Sequence, residues 1–190
     1  MKNNQQPLLN PRFRKNVAAV ILEGNNCILL AKRKRARDHW QFPQGGVDFG
    51  ESFSQALFRE LKEELGTGQF EILKKSNQVF RYQWRKNLID KRGHVGQEQT
   101  YFLLRFLGQK KDIKPDKREF ETVEWLSYEE VLQRCARIRK PLYTRVLKEF
   151  ESIIKAKKCP PPAKTIKKPE KMVYSNESIK SLAKFLEAKS

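Results

Sequence analysis

Gly45-Gly46-Val47-Asp48-Phe49-Gly50-Glu51 is followed, after seven residues, by Arg59-Glu60-Leu61-Lys62-Glu63-Glu64-Leu65-Gly66. This stretch decides the fold and the chemistry. It sets a glycine-rich turn before one helix. Ser52 supplies an N-cap and Gln55 stands three residues on, which makes a capping box. Gly66 supplies the left-handed stop after Leu65. Phe53, Leu57, Leu61 and Leu65 recur every four residues and form a stripe that faces a core. Glu60 and Glu64 are one turn apart, and Glu63 lies three residues from Glu60, so all three project beside that stripe. Carboxylates on the flank of a buried face repel one another and hold protons unless a cation is near. An all-oxygen ligand set suits a hard ion, Mg2+ or Mn2+, rather than zinc. The bland alternative for the glutamates alone is a solvated acidic helix face. The glycines, Glu51, Arg59 and Gly66 at fixed distances argue against it.

Working outward, Val17 to Leu22 and Cys27 to Ala31 read as buried strands around the turn Glu23-Gly24-Asn25-Asn26, a hairpin signal. Lys32 to His39 is a basic loop. Gln78 to Trp84 and Thr100 to Leu107 are aromatic and β-branched runs expected to pair. Asn87 to Gln97 between them reads as a loop. Lys110 to Lys117 is a charged connection and Glu121 to Leu126 a last strand. Tyr128 to Cys135 and Leu142 to Ile154 carry helical periodicity. The mixture predicts an α/β class with helices layered on a mixed sheet.

The chain of 190 residues carries a net charge of +18. That basicity points to a polyanionic partner such as RNA or nucleotides. No apolar run reaches the roughly 18 residues of a membrane span, so no membrane partner is expected. Met1 to Asn10 is polar and lacks the apolar core of a signal peptide. Cys27, Cys135 and Cys159 show no metal-ligand spacing, and their use fits a reducing cytoplasm better than a disulfide framework. Nothing singles out DNA or a protein partner. The chain divides into an N-terminal extension (1–12), one folded domain (13–154) and a basic Lys/Pro-rich C-terminal extension (155–190). Within the last, Ser178 to Ala188 has the spacing of a short helix. The extension is either an RNA- or partner-binding tail or a solvated one, the latter being the simpler reading.

The segment Gly45 to Thr67 resembles the signature box of the Nudix hydrolases: Gly, five residues, Glu, seven residues, Arg-Glu, aliphatic, any residue, Glu-Glu, any residue, Gly, aliphatic. Only Thr67 departs, at a packing position. Further segments resemble the subfamily of RNA pyrophosphohydrolases and dinucleoside polyphosphate hydrolases. These are Trp40-Gln41-Phe42-Pro43-Gln44, Arg14-Lys15-Asn16-Val17, Gly96-Gln97-Glu98-Gln99, Glu119-Phe120-Glu121, and Arg139-Lys140 followed by Tyr143. The resemblance spans about residues 13 to 150.

It implies an α/β/α sandwich with a mixed sheet. Glu60, Glu63 and Glu64 would be metal ligands, with Glu51 supporting the loop and reaching a metal through water. Arg59 would orient the carboxylates, and Gly45 and Gly46 would bring backbone close to metal and phosphate. Glu119 would serve as base or outer metal ligand, its alternative being an exposed glutamate at a strand edge. Arg14 would bind phosphate. Arg33, or Lys32 in its place, would stack on the first base. Gln41 and Gln44 would hydrogen-bond substrate or brace the loop, and Tyr82 would touch a phosphate or simply pack. The activity implied is Mg2+-dependent conversion of 5'-triphosphate RNA to 5'-monophosphate RNA. Hydrolysis of dinucleoside tetraphosphates is the close alternative, and a non-catalytic RNA-binding module the alternative of another class.

Overall fold

The computed structural model describes residues 12–157, except Arg35, Arg37 and residues 85–92. Residues 1–11 and 158–190, with the helix expected over Ser178 to Ala188, lie outside the described residues.

Among the described residues, seven strands and three α-helices follow in the order β1 (Arg12–Leu22), β2 (Ile28–Arg33), β3 (Trp40–Gln41), β4 (Gln44–Gly46), α1 (Phe53–Leu65), β5 (Phe70–Gln83), β6 (His94–Phe106), β7 (Phe120–Leu126), α2 (Tyr128–Arg134) and α3 (Lys140–Ile154). The sheet is mixed. β1 runs parallel to β6, from Arg12 opposite His94 to Leu22 opposite Arg105. β5 pairs antiparallel with β6. β4 lies antiparallel to β1, with Val17 opposite Gly45. β2 pairs antiparallel with β7 and β3.

Side chains of a strand alternate between its faces, and β1 buries both. Val17, Ala19 and Ile21 pack with Leu57, Leu61 and Leu65 of α1 and with Phe102 and Leu104 of β6. Ala18, Val20 and Leu22 pack with Tyr143, Val146, Leu147 and Phe150 of α3 and with Val131 of α2. Helices therefore cover both sheet faces, and the α/β/α expectation stands. Each fully buried leucine of α1 contributes roughly 1.5–3 kcal/mol, which seats that helix firmly under the glycine turn.

Several elements differ from the sequence expectation. The Glu23 to Asn26 turn is present, closed by Asn26 N–H donating to Glu23 O at 2.7 Å. Yet β1 and β2 share only the Leu22–Ile28 pair and then diverge, because β4 occupies the edge of β1 and β7 takes β2. β1 starts at Arg12 and β5 at Phe70, well before the apolar runs. β6 begins at His94, so the end of the expected Asn87 to Gln97 loop is strand. Inter-strand pairing keeps these polar stretches extended. Cys27 is buried and disulfide-bonded, which departs from the reading of the cysteines as reduced; Cys135 is free and buried.

Candidate active site

The Ser52 cap, as expected, is a full capping box: Gln55 N–H donates to Ser52 Oγ at 3.2 Å, and Ser52 N–H to Gln55 Oε1 at 2.9 Å. Gly66 closes the helix at φ 72°, its N–H donating to Lys62 O. These two ends fix the rotation of α1, and hence where its glutamates point.

Arg59 ties the helix to the loop. Its Nε and Nη2 donate to the two oxygens of Glu51 at 2.7 and 2.9 Å, a bidentate pair. Nη1 donates to Glu60 Oε1 at 2.8 Å and Nη2 to Gly46 O at 2.9 Å. Asp48 and Glu63 stand further off, at 3.6 and 3.7 Å. Glu51 also accepts from Asp48 N–H at 3.0 Å. These hydrogen bonds hold its carboxyl down at about 2.

Glu60 and Glu64 face the opposite situation. Burial pushes the Glu60 carboxyl up against the pull of Arg59. Glu64 is 5% exposed, and burial, then the charge of Glu119, push it up to about 9. Its Oε2 accepts from Gln44 N–H at 3.0 Å, and its side chain hydrogen-bonds with Glu119. In neutral solution without a cation Glu64 is a protonated acid. Glu63 is the outlier: its side chain is 62% exposed.

The glycines have a steric reason. A Cβ on Gly45 would sit 1.7 Å from Glu60 Cδ, and one on Gly46 would sit 2.0 Å from an Arg14 guanidinium nitrogen. Residue 45 must lack a side chain for Glu60 to reach across. Residue 46 must lack one for Arg14, arriving from β1, to lie over the loop. Thr67 is buried, in keeping with a packing position.

Glu119 comes from a turn stitched to the C-terminal end of α1. Asp116 N–H donates to Glu64 O at 2.9 Å and Lys114 N–H to Leu65 O at 2.7 Å. Lys34 N–H donates to Glu119 O at 2.6 Å, and its Nζ to Lys117 O at 2.7 Å. Between this turn and the loop after β2 lies a cleft of about 740 Å3, lined by Arg33, Lys34, His39, Asp116, Arg118 and Glu119. Burial, then the charges of Arg139 and Arg33, lower the His39 pKa. Of the two candidates for the stacking cation, Arg33 lines the cleft. Lys32 turns away to Glu121, 2.9 Å from its Oε2.

Gln44 is braced from the side. Gln99 Nε2 donates to Gln44 Oε1 at 2.6 Å and to Asn16 Oδ1 at 2.7 Å, while Tyr101 O–H donates to Gln99 Oε1 at 3.1 Å. Gln41 is buried, which favours bracing over substrate contact. Tyr82 O–H donates to Gln97 Oε1 at 2.6 Å, and the Arg139 guanidinium lies 4.9 Å from its ring centre. Gln97 is also the register partner of Arg14, so Tyr82, Gln97 and Arg14 form one row across three strands. Asn16, Gln99, Lys34 and Arg139 received no role from the sequence reading. A buried Asn or Gln within an apolar strand is the signal that marks the first two.

Among the described residues, no three Asp, Glu, His or Cys side chains already converge as a metal cage. The donor set nevertheless fits a hard divalent ion. It is all oxygen, and burial pushes both Glu60 and Glu64 towards protonation, Glu60 against the pull of Arg59 and Glu64 with no cation beside it.

The NUDIX domain family model matches residues 12–146. The chain belongs to the Nudix family. It is 38% identical over 145 residues to a Campylobacter jejuni protein named RNA pyrophosphohydrolase, covering 73% of this chain and 93% of that one. It is 38% identical over 160 residues to a Rickettsia typhi protein of the same name, covering 81% and 99%. Among solved structures, the Nudix fold seen here is similar to a C. elegans Ap4A hydrolase binary complex. The TM-score is 0.58 at 21% identity, covering 75% of this chain and 98% of the other.

Proposed function

We propose that this Nudix hydrolase is an RNA 5'-pyrophosphohydrolase, converting a 5'-triphosphate end to a monophosphate and so opening the transcript to decay. The observation that carries this reading is the buried, uncompensated carboxyl of Glu64 with the half-buried Glu60 one turn before it, linked through Glu119 to a cleft walled by Arg33, Lys34 and Arg118. Similarity to relatives named RNA pyrophosphohydrolase and the net charge of +18 support RNA as the carrier of the phosphates.

Glu60 and Glu64 would hold Mg2+, or Mn2+ in its place, with Glu63 joining from the exposed side and Glu51 at one remove. A bound divalent ion would lower the pKa of its water and neutralise charge on the phosphate chain. The protein's own groups do the rest. Arg59 holds the Glu60 carboxylate in line, and Gln44 N–H fixes Glu64. Glu119, the neighbour of Glu64 across the turn, would take a proton from the attacking water. Arg14 over Gly46 lies where a phosphate would approach the loop backbone, and a guanidinium suits phosphate oxygens. Arg33 offers the cleft a flat cation that stacks on a base. The described chain has no helix long and apolar enough to cross a membrane. We place the reaction in the cytoplasm on the strength of the substrate.

The test is product analysis with Mg2+, pyrophosphate and monophosphorylated RNA from 5'-triphosphate RNA and mononucleotides from diadenosine tetraphosphate, using wild type and Glu64→Gln. Faster turnover of RNA, lost in the variant, is the expected result. Preference for the dinucleotide would move the activity to nucleotide clearance. Absence of metal-dependent turnover of both would leave an RNA-binding module.

A further inference from the structure

Among the described residues, Phe49 is the only aromatic among the large exposed apolar side chains, and at a relative exposure of 108% it touches almost nothing. The others, such as Leu107 and Val79, are aliphatic and less exposed. A single exposed apolar residue on a floppy loop would require no explanation. Phe49 is held differently. Asp48 N–H donates to Glu51 Oε2 at 3.0 Å, and Glu51 N–H donates back to Asp48 O at 3.2 Å. On the far side Val47 N–H donates to Lys15 O at 3.1 Å, which straps the loop to β1. Arg59 anchors the same loop through Glu51 and Gly46 O. The backbone around Phe49 is thus fixed by the hydrogen bonds that build the candidate active site, while the ring points to solvent.

Arg59 lies 3.6 Å from Asp48 and 2.7 Å from Glu51 and is shared with Glu60 and Glu63, so the cations left to meet a polyanion are those of β1. The strand strapped to the loop presents exposed Arg12, Arg14 and Lys15, and Arg14 reaches over Gly46. An exposed aromatic ring on a loop strapped to a strand that carries cations is a combination that serves single-stranded nucleic acid. The cations track the backbone and the ring stacks on a base without reading its identity. Because the backbone of the loop is already held, binding costs less ordering there than on a free loop.

We infer that Phe49 is a stacking platform for an unpaired base of the RNA lying outside the cleft, so that the enzyme grips the strand beyond its triphosphate end. This rests on the proposed RNA reading. Phe49 takes no part in the chemistry, so its removal weakens binding of a strand and leaves the bond-breaking step alone.

The experiment compares wild type, Phe49→Ala and Phe49→Trp. Each is assayed with Mg2+ on a single-stranded 5'-triphosphate RNA of about ten nucleotides and on a nucleoside triphosphate, and binding of the same RNA is followed by fluorescence anisotropy. The expected result is an increase of about tenfold in KM and Kd of Phe49→Ala for the RNA, the scale of one lost base stack. The kcat should hold, the nucleotide KM should hold, and Phe49→Trp should restore RNA binding with its indole fluorescence quenched on saturation. Wild type active on RNA with Phe49→Ala equal to it in KM and Kd would overturn the platform and leave the proposed function standing. Wild type that neither binds nor hydrolyses the RNA would overturn both. An equal loss on RNA and nucleotide would also overturn the platform, because it would mean that the loop itself had been disturbed.

Discussion

Two sets of carboxylates share one motif and live in opposite electrostatic environments. Glu51 sits in the loop, clasped by both arms of Arg59 and by Asp48 N–H, and stays ionised down to about pH 2. Glu64 sits 13 residues on, buried, beside Glu119, with only Gln44 N–H in its favour, and holds its proton up to about 9. The same side chain is scaffold in one place and latent ligand in the other. A carboxylate whose charge is already balanced within the protein has little left to offer a metal. One that is desolvated and left unbalanced is where a cation gains most. Glu60 stands between them, held by Arg59 yet pushed up by burial.

The sharpest way to break this contrast is to remove the latent ligand. Glu64→Gln keeps the size and the acceptor for Gln44 N–H but cannot carry the charge. We expect kcat/KM on triphosphate RNA to fall about 10^3-fold or more, the scale of losing a group that acts in the transition state. Circular dichroism should show an intact fold. Next is the scaffold. Arg59→Ala releases Glu51, Glu60 and Gly46 O together, and a drop of about 10–100-fold in activity or metal affinity is expected, as for groups that orient ligands. Gly45→Ala tests the same geometry sterically. Its Cβ would occupy the place of the Glu60 carboxylate, so activity should fall by a similar factor while secondary structure persists. Smaller still is the division between neighbours. Arg33→Ala should raise KM about tenfold, while Lys32→Ala, which breaks an exposed pair with Glu121, should stay within about twofold.

The contrast also has a pH signature. Glu64 ionises near 4.5 in the unfolded chain and near 9 in the folded one. The folded state therefore binds the extra proton between those values, and ionisation costs stability as pH rises. Metal-free protein should lose Tm steadily from about pH 5 to pH 9. Glu64→Gln should flatten that slope without metal, and saturating Mg2+ should flatten it for the wild type. A wild-type Tm that rises across this window would contradict the burial of an uncompensated carboxyl.

The motif was legible in the sequence because its determinants are local. A cap at Ser52, an apolar stripe at spacing four and a stop at Gly66 all act within one helix, and the structure places them as read. The expected metal-ligand glutamates proved unequal, since exposure depends on what packs on the helix from afar. Glu63 faces solvent, while Glu64 is covered by the Glu119 turn, more than fifty residues away in sequence. Pairing was the least legible part. The turn after Leu22 announced a hairpin, but the partners of β1 are β6 and β4, a choice made by tertiary packing. The polar start of β1, Arg12 to Lys15, carries no strand pattern of its own and is extended because β6 lies beside it. The same distance effect hid the Asn16–Gln99–Gln44 bridge, whose members are meaningful only once three strands are side by side.

The most direct test of the central claim is to count protons. Mg2+ is titrated into metal-free wild type and Glu64→Gln at pH 7 by calorimetry, in buffers of differing ionisation enthalpy. A buried acid that becomes a ligand must give up its proton to the buffer. The account predicts release of about one proton on metal binding to the wild type, and its loss, together with much weaker binding, in Glu64→Gln. Metal binding without proton release, or equal release and affinity in the variant, would contradict it.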